Sequence, residues 1–203
     1  MRTIYIPYYE KADINYNYLL LLHREATVSD NSYFHDVVKY KSLEKLTEQM
    51  NLDCADDKQS KKSEKHISKS TLSRMLKDSK YSNYFKFNPK DKEIHLRVNV
   101  GEFKENKQPF ITLKSNEIDF LISYNDKKMT RYYIFLKYHC SKYGVINYTI
   151  KQSLSKLGYS TDSNENESQI SSYNTIFFQN GAISIEPYID ENGKARNRYC
   201  LKK

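Results

Sequence analysis

Short hydroxyl side chains and long cationic side chains lie together in one ten-residue segment, KSTLSRMLKD, and the serine before it. Hydroxyl groups hydrogen-bond to phosphates or to base edges, and an arginine donates two hydrogen bonds to guanine. This combination is typical of a helix that enters the major groove of DNA. The residues of this segment that we predict to contact DNA are Ser68, Lys69, Ser70, Thr71, Ser73, Arg74 and Lys77.

Two further basic groups lie in predicted β-hairpins. YFKFN and EIHLRV alternate apolar and polar residues around the turn PKDK, and this hairpin carries Lys86, Lys90 and Lys92. ISIEPYI and ARNRYCL flank the turn DENGK, and the cations there are Lys194, Arg196 and Arg198. We expect Asn192-Gly193 to form the second turn, with a positive φ at Gly193. Solvation at the surface is the alternative to phosphate contact for Arg196 and Arg198.

The positive charge of the chain is local. Residues 58–97 contain twelve Lys or Arg and four Asp or Glu, and this difference, 12 − 4 = +8, equals the net charge of all 203 residues. A local excess of this kind attracts a phosphate backbone, and a solvated lysine-rich surface is the alternative interpretation.

Hydrophobic spacing and turn residues predict the elements that position these groups. In the first half we expect an extended arm, a helix over 15–28, a strand over 33–40, a helix over 42–51, a loop over 53–65, a helix over 68–78 and a hairpin. Ile67, Leu72, Met75 and Leu76 form the predicted inward stripe of the 68–78 helix, and Ser68 is its predicted N-cap.

The second half repeats this order of elements without repeating its residues. A strand over 110–113 is followed by helices over 115–124, 126–143, 148–157 and 167–179, with a polar loop over 160–166, and then by the second hairpin. The polar, breaker-rich stretch over 101–109 predicts a boundary, so we assign one domain to residues 1–104 and a second to residues 105–203. The expected fold class is α+β.

These stretches resemble winged-helix domains. SLEKLTEQMN, HISKSTLSRMLKD and the YFKFN hairpin carry the resemblance in the first half, and TRYYIFLKYHC, INYTIKQSLSKLGYS, FFQNGAISIE and DENGKARNRY carry it in the second. The second half is similar to winged-helix modules of plasmid and phage replication initiators and accessory proteins of Gram-positive bacteria. The resemblance implies two tandem winged helices, a recognition helix over 68–77 and a wing in each hairpin.

The second domain departs from this pattern at the start of its third helix. Asp162, Glu165 and Glu167 lie where a DNA phosphate would approach, although acids there also favour the helix dipole. We therefore expect the second domain to use its wing alone or to mediate dimerisation.

The residue patterns of the sequence give little support for a catalytic site or a cofactor site. No Walker-type loop is present among five glycines, and the five histidines form no HxH or HExxH pair. His139 lies on an apolar helix face and is expected in the core, and no arginine cluster surrounds a tyrosine nucleophile. Cys54, Cys140 and Cys200 are widely spaced, and no signal peptide or membrane span is evident. We expect a cytoplasmic, non-enzymatic protein without cofactor or metal.

The sequence thus predicts a sequence-specific double-stranded DNA-binding protein in plasmid or phage replication initiation or maintenance. Its expected partners are double-stranded DNA, a second copy of the chain and replication proteins, and a membrane is not among them. A transcriptional regulator is one alternative. The other is a winged-helix protein-interaction module that binds no DNA.

Overall fold

The computed structural model of the protein describes residues 3–10, 13–28, 35–55, 67–98 and 100–201. These residues form α-helices and small antiparallel sheets, so the fold class is α+β, as expected. The chain divides into two compact units. The first unit comprises Met1–Tyr8 and Ala12–Thr130, and the second comprises Tyr9–Lys11 and Arg131–Lys203.

The first unit contains six β-strands and five complete α-helices among its described residues. In chain order they are β1 (Thr3–Pro7), α1 (Tyr16–Glu25), β2 (Thr27–Val28), β3 (His35–Lys39), α2 (Leu43–Ala55), α3 (Lys69–Lys77), a 3₁₀ turn (Ser79–Tyr81), β4 (Phe85–Asn88), β5 (Glu93–Arg97), α4 (Val100–Glu105), β6 (Phe110–Lys114) and α5 (Ser115–Tyr124).

The main sheet of the first unit has the strand order β2-β3-β5-β4 and is antiparallel throughout. β3, which precedes α2, thus pairs with the second strand of the hairpin that follows α3. Ile94 and Leu96 of β5 are fully buried, as are Leu72 of α3 and Leu19 to Leu22 of α1. Burial of these apolar side chains holds the helices against one face of the sheet.

A second, two-stranded sheet joins the beginning of the first unit to its later part. β1 pairs antiparallel with β6, with Ile4 opposite Leu113 and Ile6 opposite Ile111. All four side chains are buried. Residues 110–114 therefore belong to the first unit.

The second unit consists of three helices followed by a hairpin. Its elements are α6 (Lys127–Tyr143, of which Arg131 onward lies in this unit), α7 (Ile150–Lys156), α8 (Asn164–Gln179), β7 (Ile183–Ile189) and β8 (Ala195–Leu201). A single bridge pairs Ile146, between α6 and α7, with Tyr199 of β8. The element order of the first unit from α1 to β5 is therefore repeated, with this bridge in the place of β3 and without a counterpart to β2 among the described elements.

A buried polar network crosses the aromatic core of the second unit. The Tyr132 hydroxyl donates to Asn174 Oδ1 at 2.9 Å, and Asn174 Nδ2 donates to the Tyr199 hydroxyl at 3.3 Å. The ring of Phe177 stacks on Tyr132 and meets Tyr133 edge-on. Burial raises the pKa of the Tyr132 and Tyr199 hydroxyls, so both remain neutral, Tyr132 as a donor to Asn174 and Tyr199 as an acceptor from it.

Several boundaries differ from the sequence predictions. The first helix ends at Glu25 rather than residue 28, because β-branched Thr27 and Val28 pair with β3. α2 extends to Ala55, and the remainder of the predicted 53–65 loop lies largely outside the described residues. α8 begins at Asn164, within the predicted 160–166 loop, because the Ser163 hydroxyl caps it by accepting from the Asn166 amide at 3.3 Å.

The predicted linker over 101–109 contains a helix. Phe103 of α4 is fully buried and packs against Phe110, with ring centroids 5.7 Å apart. This aromatic anchor fastens α4 to the first unit despite the polar residues around it. The two units divide at Thr130 and Arg131, within α6, whereas the sequence placed the boundary at residues 104 and 105.

One side chain connects the end of α2 to the beginning of α3. Asn51 Nδ2 donates to the Ile67 carbonyl at 3.0 Å, and its Oδ1 accepts from the Ile67 amide at 2.7 Å. Ile67 itself is buried and lies next to the N-cap of α3. Asn51 therefore sets where α3 starts.

We predict that Asn51→Ala destabilises the protein by about 1–3 kcal/mol, because a partly buried amide and carbonyl lose their partner. Urea unfolding of the full chain measures this change. The control is Asn116→Ala, at an exposed asparagine of α5. Equal stability of the two variants would contradict a positioning role for Asn51.

Candidate nucleic-acid interface

The start of α3 is organised by Ser68. Its hydroxyl accepts from the Thr71 amide at 3.1 Å, which confirms the predicted N-cap, and lies within 2.9 Å of the hydroxyls of Ser70 and Thr71. The inward stripe is also confirmed, because Ile67, Leu72, Met75 and Leu76 are all buried. The hydroxyl groups of this turn thus form hydrogen bonds that stabilise the start of α3, and each can form a further hydrogen bond with a group in solvent.

The outward face of α3 presents its cations to solvent. Lys69, Ser70, Arg74 and Lys77 are exposed, and Thr71 and Ser73 are half-buried. Glu44 of α2 forms an ion pair with Lys69. This carboxylate stands beside the N-terminal turn of α3, the part that the sequence assigned to contact DNA.

The hairpin of the first unit carries three exposed lysines. Lys86 lies on β4 opposite His95, and Lys90 and Lys92 lie in the turn. The turn is fastened by the Asn88 side chain, which donates to the Asp91 carboxylate, and by the Lys92 carbonyl, which accepts from the Tyr40 amide at 3.1 Å. The side chains of Lys90 and Lys92 therefore extend from a fixed backbone.

Five cations of α3 and the β4–β5 hairpin form no ion pair with any carboxylate among the described residues. They are Arg74, Lys77, Lys86, Lys90 and Lys92. Lys69, paired with Glu44, is the sixth cation of the same surface. Uncompensated charges on one helix and one hairpin create a positive potential that favours a polyanion.

The hairpin of the second unit has a different electrostatic character. Arg196 Nε lies 3.0 Å from Asp190 Oδ2, and the Arg198 guanidinium lies 4.7 Å from the ring centroid of Tyr188. The side chain of Lys194 is exposed. Asp190 also accepts from the backbone amides of Asn192 and Lys194, and these contacts, that of Lys194 foremost, lower its pKa. Asp190 remains ionised and offsets the charge of Arg196.

The first turn of α8 carries Glu165 and Glu167. Lys151 of α7 lies 3.3 Å from Glu167. In element order α8 occupies the place that α3 has in the first unit, yet its start presents acids instead of cations. The candidate surface is therefore the one formed by α3 and the β4–β5 hairpin.

Sequence reasoning missed the two residues that position α3. Glu44 had no predicted role, and position 51 was predicted only as the end of a helix. Each contact joins residues separated in sequence by a segment that carries no periodic signal. The presence of Glu44 and Asn51 in a predicted helix did not indicate which residues they contact.

No three His, Cys, Asp or Glu side chains in the described parts of the chain lie close enough to hold a metal ion. His139 is buried between the rings of Phe135 and Tyr148, as expected, and burial lowers its pKa. Burial raises the pKa of the Cys140 thiol to about 12, which keeps it protonated and unreactive.

Comparisons of the chain with protein-family models, with curated proteins and with solved structures found no significant match. Within the described ranges, no helix combines the length and apolar character needed to cross a membrane.

The hydrogen bond from Lys69 lowers the pKa of the Glu44 carboxyl. Because the pKa is lower in the folded than in the unfolded chain, the pair stabilises the fold above the unfolded pKa. This stabilisation is lost as the pH falls through the folded value. We predict that carbon-detected NMR titration gives a Glu44 midpoint below the usual glutamate range, and that Lys69→Gln raises it. Lys77→Gln is the control and should leave it unchanged, and an unmoved midpoint in Lys69→Gln would contradict the pairing.

Proposed function

We propose that this protein binds double-stranded DNA sequence-specifically through α3 and the β4–β5 hairpin of its first unit. The observation that carries the proposal is the set of five cations on this surface without an acidic partner among the described residues. Phosphate contacts by such side chains supply most of the affinity of a protein for DNA, through counterion release. The exposed polar groups of α3 supply the base contacts.

The element order supports a winged-helix assignment for this unit. After α1 and the short strand β2, the strand β3, the helices α2 and α3 and the β4–β5 hairpin follow one another, and β3 pairs with β5. In this arrangement α3 is the recognition helix and the β4–β5 hairpin is the wing. The second unit has the same order, with one bridge in place of β3, and we propose that it too is a winged helix.

The acidic start of α8 and the paired Arg196 favour a supporting role for the second unit. That role is extension of the DNA footprint through Lys194 and Arg198, or pairing of two protomers. For the whole chain we propose a role in plasmid or phage replication initiation or maintenance, which rests on the resemblance of the second half to initiator modules.

The test is selection from a random duplex pool by the full chain at two salt concentrations, followed by affinity measurements on the enriched duplex. An enriched motif with strongly salt-dependent affinity is expected. No enrichment at either concentration would contradict sequence-specific binding, and absence of any DNA binding would favour a protein-interaction module. The position of the enriched motif in the source genome then separates the two roles, since the motif of a transcriptional regulator lies beside a promoter and that of an initiator is repeated at an origin.

The wing assignment predicts the outcome of a matched pair of double variants. Lys90→Gln with Lys92→Gln removes two unpaired cations and should lower the slope of log K against log salt by about 0.9 per lost phosphate contact. Lys194→Gln with Arg196→Gln removes the same formal charge, but Arg196 is held by Asp190, so its effect should be smaller. Equal slopes for the two double variants would show that the two hairpins do not differ in their contribution to phosphate contacts.

The pairing of Lys69 with Glu44 predicts a variant that binds more tightly than the natural sequence. Glu44→Gln releases Lys69 and removes a carboxylate that repels phosphates, so its affinity for duplex DNA should rise. Glu48→Gln, at an exposed position of the same helix, changes the net charge equally and is the control. Fluorescence anisotropy measures both, and an equal gain in both variants would mean that overall charge alone is responsible.

A further inference from the structure

A groove of about 740 Å³ lies between the C-terminal end of α3 and the β4–β5 hairpin. The residues used in the following argument are Lys77, Lys86, Phe87, Arg97 and the acids Asp78 and Glu102, all of which line it. Its size is within the range of about 300–1,000 Å³ typical of small-molecule sites. It lies beside the last turn of α3, whereas the proposed base contacts come from the first turns.

The acids that line the groove already have cationic partners. Glu102 pairs with the Arg97 guanidinium, and Asp78 lies 3.5 Å from Lys80 Nζ and accepts from the Lys80 amide at 3.0 Å. Lys77 and Lys86 have no carboxylate partner in the described part of the chain. The charge left uncompensated in the groove is therefore positive.

The groove also has an apolar side. Leu76 and Phe85 are buried and line this side, together with half-buried Phe87. Phe87 and Lys86 lie on opposite faces of β4, an edge strand of the sheet, so the groove crosses this edge. The Arg97 guanidinium is held in place by Glu102 and keeps further N–H groups that can donate to an anion. A site with one apolar wall and three cationic side chains suits a ligand that is flat and apolar at one end and multiply anionic at the other.

We propose that this groove binds a nucleotide, with its phosphates against Lys77, Lys86 and Arg97 and its base against Phe87. An inorganic phosphate would leave most of the volume empty. A nucleotide uses both the cations and the aromatic wall, and base stacking on aromatic rings is sequence-tolerant. This binding does not depend on the proposed duplex binding, although Lys77 and Lys86 take part in both.

The proposal predicts how ATP and pyrophosphate bind to the full-length chain in isothermal titration calorimetry. ATP should bind more tightly than pyrophosphate and also more tightly than tripolyphosphate, which has the same three phosphates but no base. Lys77→Gln and Lys86→Gln should each weaken ATP binding by about tenfold or more, the loss expected for one charge-assisted hydrogen bond. Lys90→Gln, at the tip of the hairpin outside the groove, is the control and should bind ATP as the natural chain does.

Three results would overturn the proposal: absence of ATP binding, equal affinity for tripolyphosphate and ATP, or equal weakening by Lys90→Gln and Lys86→Gln. A short single-stranded oligonucleotide then identifies the source of the nucleotide. Displacement of ATP assigns the groove to an unpaired nucleotide of a strand, and failure to displace it assigns the groove to a free nucleotide. A chain that binds ATP but no duplex would support this inference and refute duplex binding, and the converse result would do the reverse.

Discussion

The position of α3 depends on two hydrogen bonds between one side chain and one residue's backbone. Asn51 satisfies both the amide and the carbonyl of Ile67, one residue before the helix cap. The starting point of that helix determines the burial of Ile67 and the orientation of the cations on α3. It also determines the wall of the groove beside Lys77. A partly buried peptide group that lost this partner would be costly, so a single amide side chain restricts the helix to one starting point.

The cations of the two hairpins differ in their acidic partners, and the difference involves a single carboxylate. Asp190 binds the backbone of its own turn and the side chain of Arg196, so the tip of the β7–β8 hairpin is internally neutralised. In the β4–β5 turn the acid is Asp91, and it accepts from the neutral Asn88 amide. The β7–β8 hairpin therefore offsets positive charge with an acid of its own turn. The β4–β5 hairpin leaves its positive charge without such an acidic partner among the described residues.

Elements with a strong periodic pattern could be predicted from the sequence, including α3 with its cap and buried stripe, α6, and both hairpins. The prediction was wrong where one long-range contact overrides local composition. Buried Phe103 turns a polar, glycine-containing stretch into a helix, and β6 pairs with β1 rather than opening a new domain. The Glu44–Lys69 pair and the groove also depend on tertiary proximity, which spacing along the chain does not encode.

The pairing of β1 with β6 has a consequence for the order of folding during synthesis. Ile4 and Ile6 must wait for partners at Leu113 and Ile111, which the ribosome adds more than a hundred residues later. At a synthesis rate of about 5–20 residues per second, the early strand is without its partner for roughly 5–20 seconds. During that interval two β-branched apolar side chains are exposed on an unpaired strand, so the nascent chain is most prone to aggregation before the first unit closes.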